Sequence, residues 1–135
     1  MTRFATAGHL ISWAGLCPKN DESAGKRRST KLRKGAPWLK TLLVQCAWSA
    51  ARTRGSYYQA LFRRLTSRRG PRKAIMAVAA SMLRSIYYML QRGTAYIGLG
   101  PDHFDRRERS RIAKRLQQKL NDLGYEVTLT EKIAA

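Results

Sequence analysis

Residues 70–93 read GPRKAIMAVAASMLRSIYYMLQRG. Ile75, Val78, Ala79, Met82, Leu83, Ile86, Met89 and Leu90 recur at intervals of three and four, the repeat that turns one side of an α-helix toward a core. Gly70-Pro71 punctuates its start, and proline is tolerated in a first turn because that N–H has no helical partner anyway. The helix predicted to about Arg92 is the candidate for the centre of the core. Its apolar run carries Arg84 in the middle and falls short of the roughly 20 residues that span a bilayer.

Upstream, Gly55-Ser56 breaks the chain and caps a helix with Tyr58, Phe62 and Leu65 on its apolar stripe and Arg63, Arg64, Arg68 and Arg69 largely off it. Before that, Gly35 and Pro37 open a helix carrying Leu39, Leu42, Leu43, Cys46, Ala47 and Ala50 to about Thr53, which puts Cys46 on a buried face. Thr6 can cap a short first helix with Leu10, Ile11 and Ala14, stopped by Gly15.

Downstream, GTAYIGLGPDHF (93–104) is a loop, and Asp105 with Glu108 three residues on predicts a capping box. Ile112, Leu116, Leu120 and Leu123 form the stripe of a last helix, Gly124 ends it, and YEVTL (125–129) alternates like a short strand. No internal repeat is present. The expected fold is mainly α: one small domain, residues 1–135, of about five helices with a long basic loop and a short C-terminal extended segment. The last helix is expected to pack on a neighbour or on another domain.

The 135 residues are 44% hydrophobic and carry a net charge of +19, so the charge belongs on the surface of a folded body rather than to a disordered chain. That charge selects polyanions, nucleic acid ahead of anionic membrane or acidic protein. From Ser23 to Pro101 there is no Asp or Glu while 17 Lys and Arg occur, which excludes a carboxylate metal site within that stretch. Cys17 and Cys46 are too few for a disulfide framework and have no CxxC or histidine spacing for zinc. LISWAGLC (10–17) is short for a secretion signal, follows a single Arg and has Leu16 where a lipoprotein signal needs a small residue. A soluble, cytoplasmic, nucleoid-associated protein is expected. His9 and His103 have no companions at ligand spacing and take no catalytic role. Most aromatics sit at helical positions and are expected in the core, with Trp38 and Tyr57, beside basic runs, as candidates for stacking on bases.

NDESAGKRRSTKLRKG, residues 20–35, is the candidate site. Lys26, Arg27, Arg28, Lys31, Arg33 and Lys34 place six cations in nine residues without apolar period, which reads as an extended or flexible loop that contacts phosphates. Nothing in it indicates base-edge contacts, so little sequence preference is expected. Ser23 stands at its edge. A hydroxyl attacks a phosphodiester only when a base or metal takes its proton and cations balance the developing charge. The cations are adjacent, but Asp21 and Glu22 are the only nearby acids. On spacing alone Ser23 is an ordinary loop serine.

A resemblance changes that weighting. GHLISWAGLCP, the NDESAGK loop, RKGAPWLKTLLVQCAW, RGPRKAIMAVAASML and GTAYIGLGPDHFDRRER ahead of YEVTL together resemble, nearly end to end, the C-terminal domain of the bridge-RNA-guided insertion-sequence transposases. The resemblance implies a DNA transposase in which an N-terminal domain, similar to Holliday-junction resolvases, supplies a DEDD carboxylate set with Mg²⁺ and the C-terminal domain supplies a serine nucleophile. That serine falls on Ser23. The implied partners are DNA, a guide RNA, the DEDD domain and, in the full protein, further copies of the chain. The carboxylates have no counterpart here, so the chain is expected to be the C-terminal part of a transposase, or a truncated copy, and inactive by itself. It departs from the family pattern at Ala36, where glycine is expected, and near Thr30. The alternative reading is a non-catalytic basic helical module that binds DNA or RNA, an inactive transposase remnant included, with Ser23 idle; a membrane-surface protein is disfavoured, because no terminal helix sets bulky aromatics opposite a basic face.

Overall fold

The computed structural model describes residues 3–19, 21–29 and 31–130, with Arg27 and Arg107 described by backbone alone. The chain divides into two compact units, Met1–Pro101 and Asp102–Ala135. It is mainly helical, as expected, with one small two-stranded sheet among the described residues.

In chain order the first unit holds helix α1 (Ala7–Trp13), strands β1 (Asp21–Ser23) and β2 (Lys26–Ser29), and helices α2 (Pro37–Arg52), α3 (Tyr57–Arg69) and α4 (Pro71–Arg92). α4 is the centre on which α1, α2 and α3 pack. Its buried side chains are Ala74, Ile75, Val78, Ala79, Leu83 and Tyr87, and the alanines among them, with Ala47 and Ala51 of α2, let backbones come close. Tyr87 is the largest fully buried side chain, and its hydroxyl donates to the Phe4 carbonyl at 3.0 Å, so its polar end is satisfied inside an apolar core. Tyr58 reaches across from α3 in the same way and donates to Ser85 Oγ at 3.2 Å. The α4 stripe fades toward its C-terminus, where Ile86 is 38% and Leu90 63% exposed.

The helix ends follow local chemistry. Thr6 and Ser56 are N-caps whose side-chain oxygens accept from the backbone N–H of His9 and Gln59. Pro37 and Pro71 occupy first turns. Gly70, at φ 76°, is both the last residue of α3's cap and the first of α4's, and this single left-handed residue lets two helices meet without a loop.

Two expectations for this unit are corrected. Cys46 is exposed, because the core side of α2 is defined by Leu43, Ala47 and Ala51, and position 46 lies off that line. The aromatics are less buried than their spacing predicts: Trp13, Trp38, Trp48 and Tyr88 are exposed, and among the described residues Tyr87 is the one fully buried ring, with Tyr58 and Phe62 packed partly buried against the core. Trp13 rests against Phe4 and Trp48 against Phe62, rings at the rim of the core rather than within it.

The second unit is built on helix α5 (His103–Asp122). The predicted Asp105–Glu108 capping box is not formed: the N-cap is Asp102, without a side-chain cap bond, and Asp105 sits in the first turn. There its charge still favours the positive end of the helix dipole. The predicted strand at 125–129 is likewise absent. The segment turns back instead, with Tyr125 N–H donating to Leu120 O at 3.1 Å and Gln117 Nε2 donating to Val127 O at 2.7 Å. A strand needs a partner edge, and among the described residues of this unit there is none.

Candidate nucleic-acid interface

Residues 16–34 leave the end of α1 and return to the start of α2 as a hydrogen-bonded arm rather than an irregular loop. Its root is a contact between two glycine backbones. Gly15 has φ +75° and Gly35 φ +72°, and a Cβ on Gly15 would strike the carbonyl of Lys34, while one on Gly35 would strike the backbone of Gly15. Neither position has room for a side chain. Beyond the root, Pro18 bridges Leu32, Lys19 N–H donates to Lys31 O at 2.9 Å, and Arg33 N–H donates to Cys17 O at 3.4 Å.

The arm continues as β1 and β2, antiparallel, with Asp21 opposite Ser29, Glu22 opposite Arg27 and Ser23 opposite Lys26; a bulge lies between the first two pairs. Two residues, Ala24 and Gly25, close it, both with positive φ (51° and 72°). That pair of signs marks the primed turns that match strand twist. Gly25 adopts it freely, whereas a left-handed alanine costs about 1–2 kcal/mol. Ala24 is the positive-φ residue without a glycine's freedom among those described, and such strain concentrates at functional sites.

The predicted site residues therefore come together on one element. Ser23 is exposed at the last position of β1, where the turn presents it outward, and directly opposite is Lys26, a cross-strand pair whose Cβ atoms lie about 5 Å apart in such ladders. Lys26, Arg28, Lys31, Arg33 and Lys34 are all exposed along the arm. Arg27 lies on β2 opposite Glu22, and its side chain is outside the described residues. Residues 26–29 are thus extended in β2, and Lys31–Arg33 are tied to Cys17–Lys19 by backbone hydrogen bonds and the Pro18–Leu32 bridge. Ala36 has φ −80° and ψ 102°, which any residue adopts, so an alanine there costs the backbone nothing. Thr30 lies outside the described residues.

The arm does not supply what activates a hydroxyl. Among the described residues Ser23 has no side-chain hydrogen bond, Asp21 and Glu22 are exposed, and no three of His, Cys, Asp and Glu come together. Mg²⁺ asks for near-octahedral oxygen ligation, and two neighbouring strand carboxylates do not fit that demand. Tyr96 stacks on Tyr58, and partial burial, then its hydrogen bond with Tyr58, pushes its pKa up to about 12. Of the two candidate stacking rings, Trp38 is 67% exposed at the start of α2, whereas Tyr57 is half-buried, edge-on to Tyr58.

Sequence reasoning missed two features. One is Ala24, whose conformation is dictated by a two-residue closure that no Asn-Gly or Asp-Gly announces. The other is the arrival of Arg69, Arg72 and Lys73, from the α3–α4 corner, beside the arm's root. No helix among the described residues is long and apolar enough to cross a membrane.

The family model described as transposase IS116/IS110/IS902 family matches residues 1–63, which include α1, the whole arm, α2 and the first half of α3. No curated protein and no solved structure matches the chain. The match supports a transposase-related role.

Proposed function

We propose that this chain is the serine-bearing, nucleic-acid-binding part of a DNA transposase, acting with a separate DEDD domain that carries the metal-binding carboxylates and with a guide RNA. The observation that carries the reading is the position of Ser23: exposed beside a strained two-residue turn, paired with Lys26, on an arm of cations whose only acids are Asp21 and Glu22. In the proposed reaction Ser23 Oγ bonds to a DNA phosphorus as one phosphorus–oxygen bond to a neighbouring sugar breaks. The leaving sugar oxygen takes up a proton, and the serine proton passes to a base on the docked DEDD domain. Lys26 and the arm's arginines offset charge on the phosphate under attack. One phosphodiester is exchanged for another, so the strand can be rejoined without an energy source.

The decisive measurement uses the protein with its DEDD domain supplied. A covalent DNA adduct should map to Ser23, and Ser23→Ala should abolish strand exchange while DNA binding stays within a factor of a few. Strand exchange by Ser23→Ala, or an adduct on Ser12, Ser29 or Ser56, would overturn the assignment in favour of an idle serine on a binding module. The binding half of the proposal has its own readout. If about six phosphates are engaged, log affinity for duplex DNA should fall against log salt with a slope near −5, and neutralising Lys26, Arg27, Arg28, Lys31, Arg33 and Lys34 should remove most of it.

A further inference from the structure

Where the arm's root meets the α3–α4 corner there is an open cleft of about 360 Å³. Leu16, Pro18 and Leu32 of the arm line one side of it and Met76 and Ala77 of α4 contribute to the other, while Arg69, Arg72 and Lys73 supply its charge. All three cations are exposed, and no acid stands anywhere between Ser23 and Pro101 to neutralise them. The cleft thus combines an apolar lining with a strictly cationic one.

That combination restricts the occupant. An inorganic anion would use the cations and waste the apolar walls, whereas an apolar ligand would leave three charges unanswered. A volume of 360 Å³ is at the small end of the roughly 300–1,000 Å³ that ligand sites occupy, room for one planar ring system and part of what carries it. Proline and leucine side chains offer flat apolar contact to a ring face, and the polarisable Met76 sulfur is favourable beside an aromatic edge. We propose that this cleft holds one unpaired nucleobase of a single-stranded nucleic acid, with its flanking phosphates on Arg69, Arg72 and Lys73. A base inside a duplex is stacked and paired and cannot enter, so the cleft distinguishes single strands, or an extruded base, from duplex. The α4 N-terminus, where Gly70 offers no side-chain cap, adds to the positive potential without being the source of the selectivity. The inference rests on the nucleic-acid-binding reading above and adds to it a site whose cations, Arg69, Arg72 and Lys73, are remote in sequence from Ser23.

The test uses the 135-residue chain and fluorescently labelled oligonucleotides: a dT 15-mer, the same strand with its bases replaced by abasic sites, and a 15-bp duplex. The wild type should bind the dT strand about tenfold more tightly than the abasic strand, since base contacts of this kind are worth about 1–3 kcal/mol each. Ala77→Trp, which fills the cleft from an exposed helix position, should erase that difference and leave duplex affinity unchanged. Should that variant lose helix content, Arg72→Gln with Lys73→Gln gives the second arm, reducing the single-strand salt slope by about 1.4. A base-dependent difference that survives in Ala77→Trp, no such difference in the wild type, or an unaltered slope in the double variant would overturn the cleft assignment. Weak binding to all three probes with no salt dependence would overturn the nucleic-acid reading as well, which separates the two failures.

Discussion

The helical core and the arm are held by different physics. α4 collects α1, α2 and α3 through buried side chains, Ile75, Val78, Leu83 and Tyr87 above all, and such contacts are many, individually small and mutually supporting. The arm has almost no buried side chains beyond Leu16. What shapes it is backbone: a glycine–glycine contact at its root, ladder hydrogen bonds along it, and two positive-φ residues at its tip. The difference has a functional sense. A surface covered in exposed cations cannot be organised by apolar burial, so the chain organises it through main-chain geometry and leaves Lys26, Arg28, Lys31, Arg33 and Lys34 to solvent or a ligand.

The largest test of that contrast is a core deletion. Leu83→Ala should lower global stability by about 2–5 kcal/mol, because α4's neighbours cannot fully collapse into the space. Thermal melting should show the loss, with amide protection falling in all four helices of the first unit together. A variant that lost protection only at the arm would mean that the core does not unfold as one body.

Next is a break at the arm's root. Gly35→Ala puts a Cβ into the backbone of Gly15 and demands a left-handed alanine, together costing about 3 kcal/mol. Here the loss should be local. Amide exchange should rise along residues 16–34 while helix content by circular dichroism stays near the wild type. If the helices melted as well, the arm would have to be counted as part of the core.

The smallest effect, and the one that sharpens the comparison, comes from the tip. Ala24→Gly removes the left-handed penalty and should stabilise the arm by up to about 1 kcal/mol, seen as slower amide exchange in β1 and β2. In the strand-exchange measurement that tests the proposed function, the same change should not raise the rate in proportion, since a glycine beside Ser23 loosens the serine that the alanine restrains. Destabilised strands in Ala24→Gly would show that the strain at this turn is not real.

Much of this was legible in the residues alone. The periodicity of 70–93 announced the central helix, Thr6 and Ser56 announced their caps, and Gly70-Pro71 announced the abrupt corner, because each rests on neighbours within a turn of the chain. The charge layout, with no acid from Ser23 to Pro101, is a property of composition and needs no fold. Burial was less legible: spacing shows that Cys46 and the tryptophans are near an apolar stripe, but which side of the stripe is covered depends on how α1, α2 and α3 lie against α4. The capping box at Asp105 and the strand at 125–129 failed for a related reason. A local pattern states what a segment can do, and Pro101-Asp102 started the helix earlier while the described residues of the same unit offered no edge to pair a strand.

What only the tertiary structure decided is the arm. Gly15 and Gly35 stand on opposite sides of a 19-residue excursion (16–34), and nothing in either neighbourhood says that their backbones touch. Once they do, the flanking residues fall into register, the basic run becomes a ribbon, and Ser23 is carried to its tip opposite Lys26. The cleft beside Arg69, Arg72 and Lys73 has the same origin. Side-chain chemistry and helical period are written locally, but the meeting of two distant backbones is set by the packing of the helices that hold them, and that packing is a property of the whole fold.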